Sequence, residues 1–223
     1  MSIKKQEIID AYWFRHACKE FDATQKISDE DFGFILETGR LSPSSFGIEP
    51  WKFLVVQNME LREKLRVHTW GGQKQLPTAS HVIVCLFRKS CFMRYDSDYV
   101  QNFMRQVQGF PEPAVLARTA IIEKFQRYDY ALLDSEQGMS EWSIRQTYLP
   151  FANMMTSAAM IGIDSCPIEG FEKTALEQVL VNDFGVDLES WGLAYLLAFG
   201  YRKGIPAREK TRQNMESVVE WFI

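Results

Sequence analysis

The stretch Arg145 to Phe171, RQTYLPFANMMTSAAMIGIDSCPIEGF, leaves a chain like this the fewest options. From Tyr148 to Ile163 apolar residues occupy nearly every turn position instead of one stripe, and a helix apolar all round belongs in a protein core or a membrane. Ala152, Ser157, Ala158 and Ala159 let another backbone approach closely. Arg145, Asn153 and Thr156 are costly in lipid, and the run is shorter than the ~20 residues a span needs. A core helix is therefore expected, with no membrane partner. Gly162 can supply the left-handed residue that ends it, after which Ile163 and Asp164 lead into Pro167-Ile168-Glu169-Gly170. That short corner is the candidate site.

The rest of the chain reads as elements gathered around this helix. Residues 3 to 14 are spaced as an amphipathic helix that runs into Arg15-His16-Ala17-Cys18-Lys19, three potential cations within five residues. Ser28-Asp29-Glu30-Asp31 caps a helix closing near Gly39. Ser42-Pro43-Ser44-Ser45 to Pro50-Trp51 is a fixed irregular loop rich in hydroxyls. Lys52 to Gln57 reads as a strand, Asn58 caps a helix through Leu65, and Ser80 to Phe87 reads as a more buried strand. Between these lies the Trp70-Gly71-Gly72-Gln73-Lys74-Gln75 turn. From about 88 to 141 the chain turns polar and aromatic, with one helix over Ala114 to Tyr128; Phe125, Tyr128 and Tyr130 there fit either a core stripe or the cover of a ligand. Lys173 to Phe184 makes a helix ending at Gly185, and Gly192 to Gly200 a buried strand. Arg202, Lys203, Arg208, Lys210 and Arg212 follow, and Val218, Val219, Trp221, Phe222 and Ile223 close the chain.

Helices interspersed with strands imply a sheet packed by helices, α+β or α/β. With 223 residues and 46% hydrophobic content, one domain over 1–223 is expected, carrying a helical excursion at about 88–141. A net charge of -4 without a long basic run points away from nucleic acid and toward small-molecule partners. The four cysteines form no C-x-x-C pair, the three histidines show no H-x-x-x-H spacing, and the first residues lack a cleavable apolar core. A cytoplasmic protein without a metal centre is the expectation. There is no G-x-S-x-G, no P-loop and no G-x-G-x-x-G. Two cationic clusters, a hydroxyl-rich loop and a Pro-Ile-Glu-Gly corner remain, and a flat ligand with a phosphate tail would use all four.

These segments resemble the FMN-dependent nitroreductase family of NAD(P)H nitroreductases and related flavin and quinone reductases. Arg15-His16-Ala17-Cys18-Lys19 with Phe21-Asp22 is similar to the family's R-S/H-x-R/K-x-F/Y opening. Ser42-Pro43-Ser44-Ser45 to Pro50-Trp51 is similar to its serine loop, Glu141-Trp142 to Tyr148 and Pro167 to Phe171 to its central helix and P-I-E-G-F corner, and Lys210-Thr211-Arg212 to its terminal K-x-R. The resemblance implies an α+β fold with a mixed, mainly antiparallel sheet flanked by helices around a long buried central helix. It implies FMN as cofactor, NAD(P)H as co-substrate and a ping-pong transfer of two electrons to nitroaromatics, quinones or similar planar acceptors. The other reading is an FMN-binding redox sensor or carrier without turnover.

Residue by residue, the resemblance assigns the FMN phosphate to Arg15, His16, Lys210 and Arg212, with Ala17 offering its backbone, and the pyrimidine edge to Lys19. The backbone of Glu169 and Gly170 would meet N5 and O4, Pro167 and Ile168 would pack on the ring face away from substrate, and no side chain need be catalytic. Gly72 stands where the family often has Asn, so that contact passes to Lys74 or Gln75. Ser45, Phe46, Trp70, Phe125, Tyr128 and Gly170 would line the substrate slot, and Phe46-Gly47-Ile48-Glu49 makes the slot more apolar. The apolar tail implies self-association, and the resemblance implies a homodimer with FMN at the interface, the tail embracing the partner, and Ser42, Ser44 and Ser45 serving the partner's site.

Overall fold

The computed structural model describes residues 4–223. In chain order the elements are α1 (Lys5–Phe14), α2 (Asp29–Arg40), β1 (Trp51–Val55), α3 (Met59–Val67), α4 (Gln75–Thr78), β2 (His81–Arg88), α5 (Ser90–Met93), α6 (Asp98–Asn102), α7 (Glu112–Lys124), α8 (Glu136–Met160), β3 (Asp164–Ile168), α9 (Lys173–Phe184) and β4 (Trp191–Gly200). Ile3, at the start of the helix expected over 3–14, lies outside the described residues. The local signals account for several boundaries. Ser28 accepts from Asp31 N at 3.1 Å, Asn58 accepts from Glu60 and Leu61 N, and Gly185 closes α9 at φ 66°.

The four strands run in the order β1-β2-β4-β3, every neighbour antiparallel. The one parallel pairing among the described residues is an isolated bridge, Ala17 with Ser165. β2 alternates between two cores: Val82, Val84 and Leu86 face α3 and α9, whereas Ile83 and Cys85 face α2 and α8. On β4 the alternation skips. Leu193 and Leu196 share a face although their numbers differ in parity, because a bulge opposite Cys85 and Leu86 leaves Ala194 unpaired. Each fully buried Leu or Ile is worth about 1.5–3 kcal/mol.

The central helix α8 starts ten residues before Gln146, capped by Ser135, whose hydroxyl accepts from Gly138 N at 2.9 Å. One long face is buried, from Met139 and Trp142 through Met154, Met155 and Ala158. Leu149, Ala152, Asn153 and Met160 are exposed on the other face. A third apolar cluster, including Ile48, Met93, Met104, Ile122 and Trp142, ties the helices of 90–129 to the start of α8. No helix among the described residues is long and apolar enough to cross a membrane.

β3 was not expected as a strand, because Asp-Ser-Cys-Pro-Ile is polar and contains a proline. The topology explains it. β3 is the edge strand of the sheet, where a residue without N–H is tolerated if that position faces outward.

Candidate functional site

The outer edge of β3 organises the site. The chain leaving α1 runs along it, with Cys18 N donating to Ser165 O at 3.0 Å. The chain leaving β4 meets the same segment, Phe21 bridging Arg202 and Lys203 N donating to Glu20 O at 3.1 Å. Two segments nearly 200 residues apart in sequence are thereby sewn to one strand. Between them lies a cavity of about 1310 Å³ lined by Arg15, His16, Ala17, Lys19, Pro167, Lys210 and Arg212 of the expected set, together with Arg202.

The cavity concentrates positive charge. The Arg15 guanidinium is held below its ordinary range, first by burial and then by Arg212, and the Lys210 ammonium is lowered by burial and by Arg15 and Arg212. The Lys210 ammonium sits on the carbonyls of Tyr12 and Arg15, at the end of α1. These cations disfavour one another, so a bound anion relieves a repulsion that the fold itself maintains.

Sequence reasoning missed the group beneath them. Asp164, 3% exposed, accepts from Arg202 N at 2.9 Å and Nε at 3.0 Å, and its other oxygen lies 2.7 Å from Arg202 Nη2. His16 Nδ1 lies 3.5 Å from the same carboxylate, while burial and Arg202 lower the imidazole pKa. The Arg202 guanidinium also stacks over Phe14 at 4.1 Å. The sequence carried no signal for this pair, because the burial of Asp164 and its place at the start of β3 come from the pairing with β4.

The Pro-Ile-Glu-Gly corner adjoins the cavity through Pro167. Ser165 O faces the outer edge and Pro167 has no N–H; Glu169 and Gly170 follow directly on the end of β3 at Ile168. Among the described residues neither Glu169 N nor Gly170 N meets an acceptor. Gly71 N donates to Gly170 O at 2.7 Å, and the Tyr148 hydroxyl of α8 donates to the Glu169 carboxylate. The space beside Gly170 is already filled. A Cβ there would lie 2.9 Å from Gly71 Cα and 2.9 Å from the Trp70 ring. Gly170, expected to line the substrate slot, is thus also required by the close approach of the 70–72 turn.

The remaining expected residues lie outside this cavity's lining. Ile168 is buried in the core beside Gly72, where a Cβ would lie 2.4 Å from Leu76 Cδ1, leaving no space for an asparagine. Lys74 pairs with Glu20 at 3.5 Å and is exposed, whereas Gln75 is buried and donates to Cys18 O at 3.3 Å. Ser42 accepts from Asn153 Nδ2, Ser44 accepts from Glu49 N and Ser45 N donates to Gln146 Oε1, so the serine loop rests on α8. Phe46 packs edge-on against Phe125, with centroids 5.1 Å apart, in the cluster of 90–142. Trp70 and Tyr128 are strongly exposed. One chain therefore presents the expected slot in separate pieces.

The model of the nitroreductase family matches residues 14–201 of this chain. "Putative NAD(P)H nitroreductase YfkO" of Bacillus subtilis (strain 168) is 49% identical over 221 residues, covering 99% of this chain and 100% of that protein. A Staphylococcus epidermidis relative of the same designation is 49% identical over 222 residues, the full length of both. Among solved structures, a nitroreductase-like protein of Streptococcus mutans superposes with a TM-score of 0.79 at 21% identity, covering 99% of this chain and 100% of that one. An Exiguobacterium sibiricum protein crystallised in complex with FMN gives 0.74 at 23% identity, covering 100% and 99%. Whole-length identity near one half and a family match across the sheet place the chain plainly: it belongs to the nitroreductase family.

Proposed function

We propose that this protein is an FMN-dependent oxidoreductase that passes two electrons from NAD(P)H to nitroaromatics, quinones or similar planar acceptors. The carrying observation is the convergence of Arg15, Lys210 and Arg212, from both ends of the chain, on one cavity beside a corner with two free N–H groups. The residues fit FMN. Guanidinium groups suit a phosphate dianion, and the depression of Arg15 by burial and Arg212, and of Lys210 by burial, Arg15 and Arg212, favours a ligand of that charge. The N–H groups of Glu169 and Gly170 suit acceptors on the rim of a flat ring.

Bound there, FMN would supply hydride acceptance from NAD(P)H and hydride donation to the acceptor. Arg15, His16, Lys210 and Arg212 would hold the phosphate and Lys19 the pyrimidine edge, where a cation favours the reduced ring. The chain carries no separate dinucleotide motif, so donor and acceptor would use one slot in turn, giving ping-pong kinetics.

The protein would act as a homodimer. Tyr12 and Trp13 of α1, Leu149 and Met160 of α8, and Trp221 and Phe222 of the tail are exposed large apolar groups. A second copy would cover them and bring its Ser42 to Phe46 loop and Phe125 to the flavin, completing the slot that one chain leaves in pieces. The test is anaerobic mixing of the flavin-loaded protein with NADH and NADPH. Bleaching of the visible flavin band, reversed by a quinone with parallel double-reciprocal lines, is the expected result. A yellow protein that neither donor bleaches refutes the enzyme and leaves a flavin carrier or sensor.

A further inference from the structure

Asp164 and Arg202 have no task in the electron transfer just proposed, yet they act on His16, which lines the same cavity as the other residues that would hold the phosphate. Asp164 is saturated by Arg202, which gives it a backbone N–H, Nε and a close Nη2. That leaves His16 beside a carboxylate whose charge is already matched. The ring lines the cavity and is 21% exposed, with Nδ1 turned 3.5 Å from Asp164 Oδ1; Nδ1 has no hydrogen-bond partner among the described residues, while Oδ1 is met by the close Arg202 Nη2.

The charged groups that act on His16 come from three elements: Arg15 on its own segment, Asp164 on β3, and Arg202 beyond β4. Burial and both arginines oppose its protonation, and Asp164 with the Phe14 carbonyl favours it. Across the same cavity Arg212, on the tail, acts on Arg15, and both act on Lys210. Without an anion the two arginines and burial prevail, so His16 is neutral at neutral pH. An anion within about 4–6 Å of an imidazole raises its pKa by about one to three pH units, working against burial and the arginines and with Asp164.

We propose that Asp164 is the positioning residue that keeps His16 ready to accept a proton, so that the cavity takes up one proton from solvent as it takes its anionic ligand. This rests on the reading of the cavity as a phosphate site. The proton goes to the imidazole, with Asp164 as the acceptor of the Nδ1–H, and the ligand stays dianionic. Arg202 fixes Asp164 between the two segments, so the segments from both ends of the chain close on one charge network.

The linkage has a definite sign. The pKa of His16 is higher in the complex than in the free protein, so affinity is greatest at low pH and falls as pH rises between the two values, by up to about tenfold per pH unit. The experiment is calorimetric titration of the full-length apoprotein with FMN at pH 7.5, in two buffers of different ionisation enthalpy, where a phosphate with second pKa near 6 is almost wholly dianionic. The wild type is expected to take up a large fraction of one proton per FMN, His16→Gln none, and Asp164→Asn a clearly reduced fraction. The pH slope of the affinity should flatten in the same order. His16→Gln leaves the ion pair of Asp164 and Arg202 in place, so it tests the inference even if Asp164→Asn folds poorly. Proton uptake unchanged in His16→Gln places the proton elsewhere and overturns the inference alone. An apoprotein that binds no FMN at any pH overturns the phosphate reading itself and the inference with it.

Discussion

Replacing Gly170 by alanine tests the junction on which the proposed site depends. Neither Gly170 nor Gly71 needs a left-handed φ, so the cost of a methyl group is steric. The added Cβ would lie 2.9 Å from Gly71 Cα, 3.0 Å from Gly71 N and 2.9 Å from the Trp70 ring. Trp70 is exposed and can swing away, but the Gly71 backbone cannot, so the 70–72 turn must lift off the corner. Overpacking of this kind costs about 1–3 kcal/mol, and losing the 2.7 Å bond from Gly71 N to Gly170 O adds about 0.5–1.5 kcal/mol. We expect Gly170→Ala to destabilise by about 2–4 kcal/mol in urea titrations at fixed protein concentration, and to weaken FMN binding at least about tenfold as the corner tilts. Gly71→Ala should cost a similar amount, because its Cβ would meet Gly170 Cα at 3.0 Å. The double variant should cost less than the sum, since one displacement relieves both contacts. Gly33→Ala is the control: it lies in α2 with nothing within 4 Å and should stabilise by up to about 1 kcal/mol. Gly170→Ala with wild-type stability and wild-type FMN affinity would show that the close approach is not maintained in solution.

Arg62 is 2% exposed and donates to the carbonyls of Val56, Ala79 and Ser80 and to Gln57 Oε1. Arg62→Met should cost at least about 3 kcal/mol by orphaning those acceptors, read by chemical denaturation; a loss under 1 kcal/mol would count against the network. Burial pulls the His81 imidazole, stacked 3.8 Å from Phe32, down to about 4. A depressed histidine is unprotonated in the fold while the unfolded chain binds a proton below about pH 6.5, so stability should fall between pH 6.5 and 4, by up to about 3 kcal/mol. His81→Gln should flatten that part of the stability profile, and an unchanged profile would refute the assignment. Ending the chain at Asn214 should yield a protein that sediments as a monomer and loses FMN; a flavin-loaded dimer would show that the tail does not hold the partner.

What could be read from the sequence was what short range decides. The Ser28 and Asn58 caps, the left-handed Gly162 and Gly185, and the unbroken apolar runs of β2 and β4 depend on neighbours within a few residues, and each stands where its chemistry puts it. β3 escaped because its strand character comes from pairing with β4, not from Asp-Ser-Cys-Pro-Ile itself. The same distinction runs through the candidate site. That Arg15 and Arg212 are cations is written in the chain; that they share a cavity depends on Phe21 bridging Arg202 and on Lys203 N donating to Glu20 O. Gly170 shows the limit most clearly. A glycine in a polar corner signals that a side chain would be in the way, but the sequence does not say of what. Here the obstacle is Gly71, another glycine 99 residues earlier, and two such residues against each other let two backbones hydrogen-bond where any pair of side chains would hold them apart.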